Sequence, residues 1–184
     1  MFFKMNRKTK IHQKTLGFTI LPVLFAISFM LLLQNCRKPE EFPPIPHIEF
    51  VSFAKIKTHT GIDDKGVLTL FFTDGDGDIG LSETDTLSPY DAESEFYYNF
   101  FIDYFEKQNG TFVKVVLPFS LNSRIPVLNT NNSNRPLKGN IDIELFINNI
   151  LSPYDTIRFE CQICDRALNK SNRISTPEII VKKQ

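Results

Sequence analysis

Tryptophan is absent from this chain, cysteine and histidine occur three times each, and 21 basic residues merely balance 21 acidic ones. Each shortage removes something. Paired carboxylates that cleave glycosides work beside a sugar platform, usually aromatic, and no tryptophan is there to build one. His47 and His59 have no Ser or Cys placed beside them as a nucleophile, so no base–nucleophile pair is visible. No clustered basic face is available for nucleic acid. Cys161 and Cys164 form a C-x-x-C, but within Thr156–Cys164, which alternates like a strand. Residues three apart on a strand face opposite ways, ~10 Å apart, beyond the ~7 Å reach of a disulfide. Cys161 therefore reads as a core residue beside Phe159 and Ile163, and Cys164 as an outward or strand-end thiol. Zinc needs a second ligand pair, and none is visible.

What the chain does have begins at its N-terminus. Residues 1–15 hold Lys4, Arg7, Lys8, Lys10 and Lys14 and no acid; Leu16–Leu33 is uncharged and mostly apolar; Leu33-Gln34-Asn35-Cys36 follows, then a proline-rich stretch. Basic, apolar, cleavage site is the order of an export signal. Residues 1–36 resemble the signal of bacterial lipoproteins, which implies that Cys36 receives lipid and becomes the new N-terminus. More than one buried acyl chain holds a protein stably at a membrane. Gly17, Pro22 and the closing cysteine favour this reading. An uncleaved membrane anchor is the alternative, since the apolar run is just long enough to span ~30 Å; an ordinary cleaved signal is a third. The charged Arg37-Lys38-Pro39-Glu40-Glu41 resembles the surface-export signal of Bacteroidota lipoproteins. The expected organisation is a signal over 1–35, the lipidated cysteine and a proline-rich tether over 36–47, and one domain over 48–184. The place of work that these resemblances imply is the bacterial envelope, at the outer membrane, on its periplasmic or outer face. Without the signal the chain keeps sixteen basic and 21 acidic residues, a net charge near −5.

After the tether the signals are β. Strands are expected over 48–56, 67–73, 96–106, 111–117, 141–147, 156–163 and 173–181, with turn chemistry over Gly61–Gly66, a long acidic loop over 74–95, and a mobile loop containing residues 129–134. Asn109-Gly110 between two aromatic or branched runs marks a hairpin. Seven strands without a helix give an all-β, immunoglobulin- or fibronectin III-like sandwich. Asp165-Arg166-Ala167-Leu168-Asn169-Lys170-Ser171 resembles the D-x-A-x-N-x-S turn before the last strand of many bacterial immunoglobulin-like domains, with Leu168 where those usually carry Gly. Phe72-Thr73-Asp74-Gly75-Asp76-Gly77-Asp78-Ile79-Gly80 resembles the F-x-D-G-D-G-D-I-G segment of uncharacterised Bacteroidota lipoproteins, a likeness that implies fold and location and no activity.

Two groups of residues are candidates for a site. Asp74, Asp76 and Asp78 alternate with Gly75 and Gly77, which lets a loop curl three carboxylates around one hard cation such as calcium. Asp85 falls at the twelfth position of an EF-hand count, but Ile79 stands where that loop needs Gly, and no helix flanks it. A non-helical calcium loop is the reading that stands, against a plain solvated turn. If Val67–Thr73 is a strand, this loop shares an end of the sandwich with the 165–172 turn, and Asp165 and Asn169 join the candidate ligands. The second group is aromatic: Tyr98, Phe100, Ile102 and Tyr104 share one face of the 96–106 strand, and Tyr97, Phe101 and Phe105 the other. That second face is either a covered central strand or a patch for an envelope protein or glycan. The expected function is a membrane-anchored binding or structural module, not an enzyme. The alternatives are an accessory subunit of an envelope assembly, and a hydrolase with a carboxylate site the sequence does not reveal.

Overall fold

A computed structural model describes residues 40–128 and 135–183. The expected lipid attachment at Cys36, the expected signal over 1–35 and the expected mobile loop at 129–134 lie outside the described residues. Eight strands follow in order: β1 (His47–Lys57), β2 (Asp63–Asp74), β3 (Phe100–Gln108), β4 (Thr111–Lys114), β5 (Leu137–Phe146), β6 (Thr156–Ile163), β7 (Ile174–Ser175) and β8 (Ile179–Ile180). One sheet has the order β1-β2-β5, the other β4-β3-β6-β7, with β8 also paired to β6. Every pairing is antiparallel. The chain is an all-β sandwich.

Alternation builds it. In β2, Leu68, Leu70 and Phe72 point inward between half-buried neighbours; in β6, Ile157, Phe159, Cys161 and Ile163 do the same. Phe100, Ile102 and Tyr104 of β3 complete the facing layer. Phe159 is fully buried at the centre, its ring 6.0 Å from Phe53 and 5.7 Å from Tyr104. The hairpin forms as expected, with Asn109 (φ 51°) and Gly110 (φ 87°) both left-handed between Gln108 and Thr111, the pair of positive φ values that a two-residue turn of this hand requires.

Several expectations need correction. The 61–66 turn is shorter, because β2 begins at Asp63 and the chain reverses over Thr58–Ile62, closed by Thr58 N donating to Ile62 O at 2.8 Å. The third strand starts at Phe100, since Glu95–Tyr97 is a single 3-10 turn capped by the Ser94 side chain. The fourth ends at Lys114. The last segment is two strands, not one, because Pro177 has no N–H to donate and Thr176 turns its hydroxyl to accept from Phe159 N at 3.0 Å. Cys164 is buried like Cys161 and both are free thiols; just past β6, its N–H donates to Asn99 O at 2.8 Å.

The proline-rich segment continues onto the domain. Pro46 is buried and Pro43 O accepts from Gly75 N at 2.9 Å. Asn172 then borders β1, donating to Ile48 O at 2.9 Å and accepting from Ile48 N at 2.8 Å, so a side-chain amide stands where a neighbouring strand's peptide would.

Candidate metal centre

The site follows from strand parity. Inward positions of β2 run Leu68, Leu70, Phe72, and the next is Asp74, which is 0% exposed. Inward positions of β6 run Phe159, Cys161, Ile163, and the next in step is Asp165, 2% exposed. Two strands of opposite sheets thus each carry a carboxylate past the apolar core at the same end of the sandwich. The loop leaving Asp74 supplies Asp76 and Asp78, and the three carboxylates each place an oxygen within 4.8 Å of the others.

The glycines between them let other chain segments close over the loop. A methyl group at Gly75 would overlap the carbonyl oxygens of Phe42 and Pro43; one at Gly77, which has φ +71°, would overlap the carbonyl of Arg135. The 165–172 turn approaches from the other sheet, with Ala167 N donating to Asp78 Oδ2 at 3.1 Å. Ile79 N donates to Asp74 Oδ2 at 3.2 Å. Oδ1 of Asp74, of Asp76 and of Asp78 is buried and accepts no hydrogen bond from any described residue.

That leaves three clustered carboxylates each with one buried oxygen that no donor reaches. Burial and then the charges of Asp76 and Asp78 push the Asp74 carboxyl up to about 7. Burial and then Asp165 and Asp76 raise Asp78. Asp165 is raised too, by burial first, although Asn169 offsets part of this. Buried like charges that disfavour ionisation mark the place where a cation would restore it. An all-carboxylate donor set without His or Cys suits a hard cation.

The other candidate ligands are engaged elsewhere. Asp85 forms a two-pronged pair with Arg166, at 2.6 and 3.1 Å, and accepts from Ser82 N at 2.7 Å. Asp165 accepts from Asn169 N at 2.7 Å and Asn169 Nδ2 at 2.9 Å, so these two brace the turn beside the cluster. Leu168 has φ +66°, the left-handed conformation that the usual glycine of such turns takes freely.

Two arginines missed in the sequence organise the long acidic loop. Arg124 Nε donates to Tyr97 O at 2.6 Å, Nη1 to Ser82 O at 3.2 Å, and Nη2 to Asp85 O and Tyr90 O at 3.0 and 2.9 Å. Its guanidinium lies 4.4 Å from the Tyr97 ring centre. Arg166 adds a bond to Gly80 O at 3.3 Å, and its own carbonyl accepts from the Tyr90 hydroxyl at 2.6 Å. Only the D-x-A-x-N-x-S pattern touched this pair, and it leaves the Arg166 position open.

The aromatic face divides. Tyr97 sits in the 3-10 turn, off the strand. Phe101 and Phe105 share the outer face of β3, half-buried beneath cations: Lys170 Nζ lies 5.4 Å from the Phe101 ring and the Arg158 guanidinium 5.1 Å from Phe105. Between them Asp103 pairs with Lys114 at 2.7 Å and Arg173 at 2.8 Å. Among the described residues, side-chain cations lie over this face.

No known protein family, curated protein or solved structure matches the chain. Among the described residues, no helix is long and apolar enough to cross a membrane.

Proposed function

We propose that the protein is a lipid-anchored module of the bacterial envelope, related to uncharacterised Bacteroidota lipoproteins. Its immunoglobulin- or fibronectin III-like sandwich binds or organises other envelope components and holds one calcium ion at Asp74, Asp76 and Asp78. The observation that carries the cation is the trio of buried Oδ1 atoms without donors, gathered on one loop, where a buried polar atom ordinarily finds a partner; the other such atoms among the described residues, Asp63 Oδ1, Asn148 Oδ1 and Arg158 Nε, lie outside this cluster. One oxygen from each carboxylate lies within 4.8 Å of the others, twice a calcium–oxygen distance of about 2.4 Å. Enclosure favours calcium over magnesium, which gives up its water reluctantly. The order β1-β2-β5 against β4-β3-β6-β7 supports the sandwich type, and the 1–36 signal supports the anchor.

The test is thermal unfolding in EDTA and in millimolar calcium, for the natural chain and Asp74→Asn. Calcium at a hundred times its dissociation constant adds about 2.7 kcal/mol, several degrees for a domain this size. The variant should show no such rise. An identical melting temperature with and without calcium would overturn the reading.

The second reading, an accessory subunit of an envelope assembly, draws on the segment after β4. Val116 is 90% and Phe119 47% exposed, beside a groove of about 380 Å³ along Ile102–Tyr104. Co-purification of a stoichiometric partner, lost on Val116→Asp, would favour it.

A further inference from the structure

The acidic loop is also where the membrane side of the chain is fastened. Phe42–Pro46 lies against the domain ahead of β1. Its prolines, Pro43, Pro44 and Pro46, have no N–H, so this strap can join a backbone network almost only through its carbonyls. Between described residues, its backbone is tied down by one hydrogen bond, Gly75 N to Pro43 O at 2.9 Å. The Phe42 carbonyl crowds the same glycine. The donor, Gly75, sits between Asp74 and Asp76. The strap therefore rests on a backbone flanked by carboxylates whose inner oxygens are buried without donors.

We propose that the cation at Asp74, Asp76 and Asp78 is a clasp for this strap: its binding fixes Phe42–Pro46 to the sandwich, and its removal releases them. The inference rests on the cation reading above and adds its consequence. Without a cation, mutual repulsion spreads the three carboxylates or forces protons onto them, and either change reshapes the Gly75 backbone that holds Pro43. With a cation, the loop has one closed form and the strap has its seat. Coupling between two sites is reciprocal, so a cation that fastens the strap must itself be held more tightly when the strap is there.

The experiment uses the full chain in detergent micelles. Calcium affinity is measured by titration calorimetry for the natural chain and for one whose residues 42–46 are replaced by Gly-Ser-Gly-Ser-Gly. Amide exchange is followed over Phe42–Ile48 and at Gly75 in calcium and in EDTA, which needs no variant. The clasp predicts a dissociation constant at least tenfold weaker without the strap. It also predicts exchange at least tenfold slower in calcium for the strap and Gly75, with the β2–β5 ladder unchanged. Equal affinity in the two chains, or a strap whose exchange ignores calcium that is bound, overturns the clasp and leaves the cation site standing. No calcium binding by the natural chain overturns both.

Discussion

Asp74 shows how a single position acquires a chemical property from strand parity. It is the next inward residue after Phe72, and a carboxylate placed there is desolvated whether or not anything neutralises it. With its folded value raised to about 7 against an unfolded value near 3.8, the folded domain holds a proton that the unfolded chain has shed. Stability then falls as pH rises between those values, opposite to the trend set by Asp63, Asp85 and Asp103, whose partners lower them and whose contribution is lost as pH falls through the low carboxylate range. In EDTA the melting temperature should drop from pH 5 to pH 8. Calcium competes with that proton, so its stabilisation should be larger at pH 8 than at pH 5.5; melting curves across this range check both signs, and a calcium increment that shrinks with pH contradicts the assignment. The gathering of Asp74, Asp76 and Asp78 into one cluster that could hold a cation was legible in the sequence as the alternation of Asp and Gly over 74–78. That Asp85 belongs to Arg166, 81 residues away, was not, because a local count cannot see a partner brought in by the fold.

At the scale of elements, β1 and β6 lie where their residues put them, β2 and β5 each begin four residues ahead of the expected 67–73 and 141–147, and Asn109-Gly110 fixed the hairpin. The misplaced boundaries have physical causes outside the pattern. Phe96-Tyr97-Tyr98 has strand composition, yet Ser94 caps a 3-10 turn there, and Pro177 divides the final run. The long loop before β3 owes its order to Arg124, whose planar fork reaches four carbonyls as no lysine could. Arg124→Ala leaves those carbonyls without their donor. Cleavage by a Glu-specific protease at Glu83 and Glu93 should then rise at least tenfold, while the core melts within about 1–2 kcal/mol of the natural protein; unchanged cleavage would show that the loop holds itself. Gly77→Ala strikes the other side of the same region. Its φ of +71° and the Arg135 carbonyl leave no room for a methyl, and a loss of about 1–3 kcal/mol should appear in urea unfolding together with a weaker calcium response.

For the whole molecule, two sheets closed on Phe159 make one cooperative core. Phe159→Ala should remove about 3–5 kcal/mol, read as a lower urea midpoint, or as failure to accumulate folded protein. The proposed anchor has its own test: Cys36→Ser should shift the protein out of the lipid-labelled membrane fraction, whereas an uncleaved span would keep it there unlabelled. The sandwich could be foreseen because half-buried strands announce themselves with period two. The seating of the proline segment could not, since Pro43 and Gly75 carry no pattern that links them. That seating has a mechanical consequence. Any pull on the chain ahead of Phe42 passes through the contact between Pro43 and Gly75 before it runs lengthwise down β1. The β1–β2 pairing, from His47–Thr73 to Lys57–Asp63, has its hydrogen bonds across that direction, so the load is shared along the strand in shear instead of opening bonds one by one. Among the described residues the acidic loop holds Pro43 by one backbone hydrogen bond, so it is a latch that should yield under load before the many bonds of the β1–β2 ladder behind it.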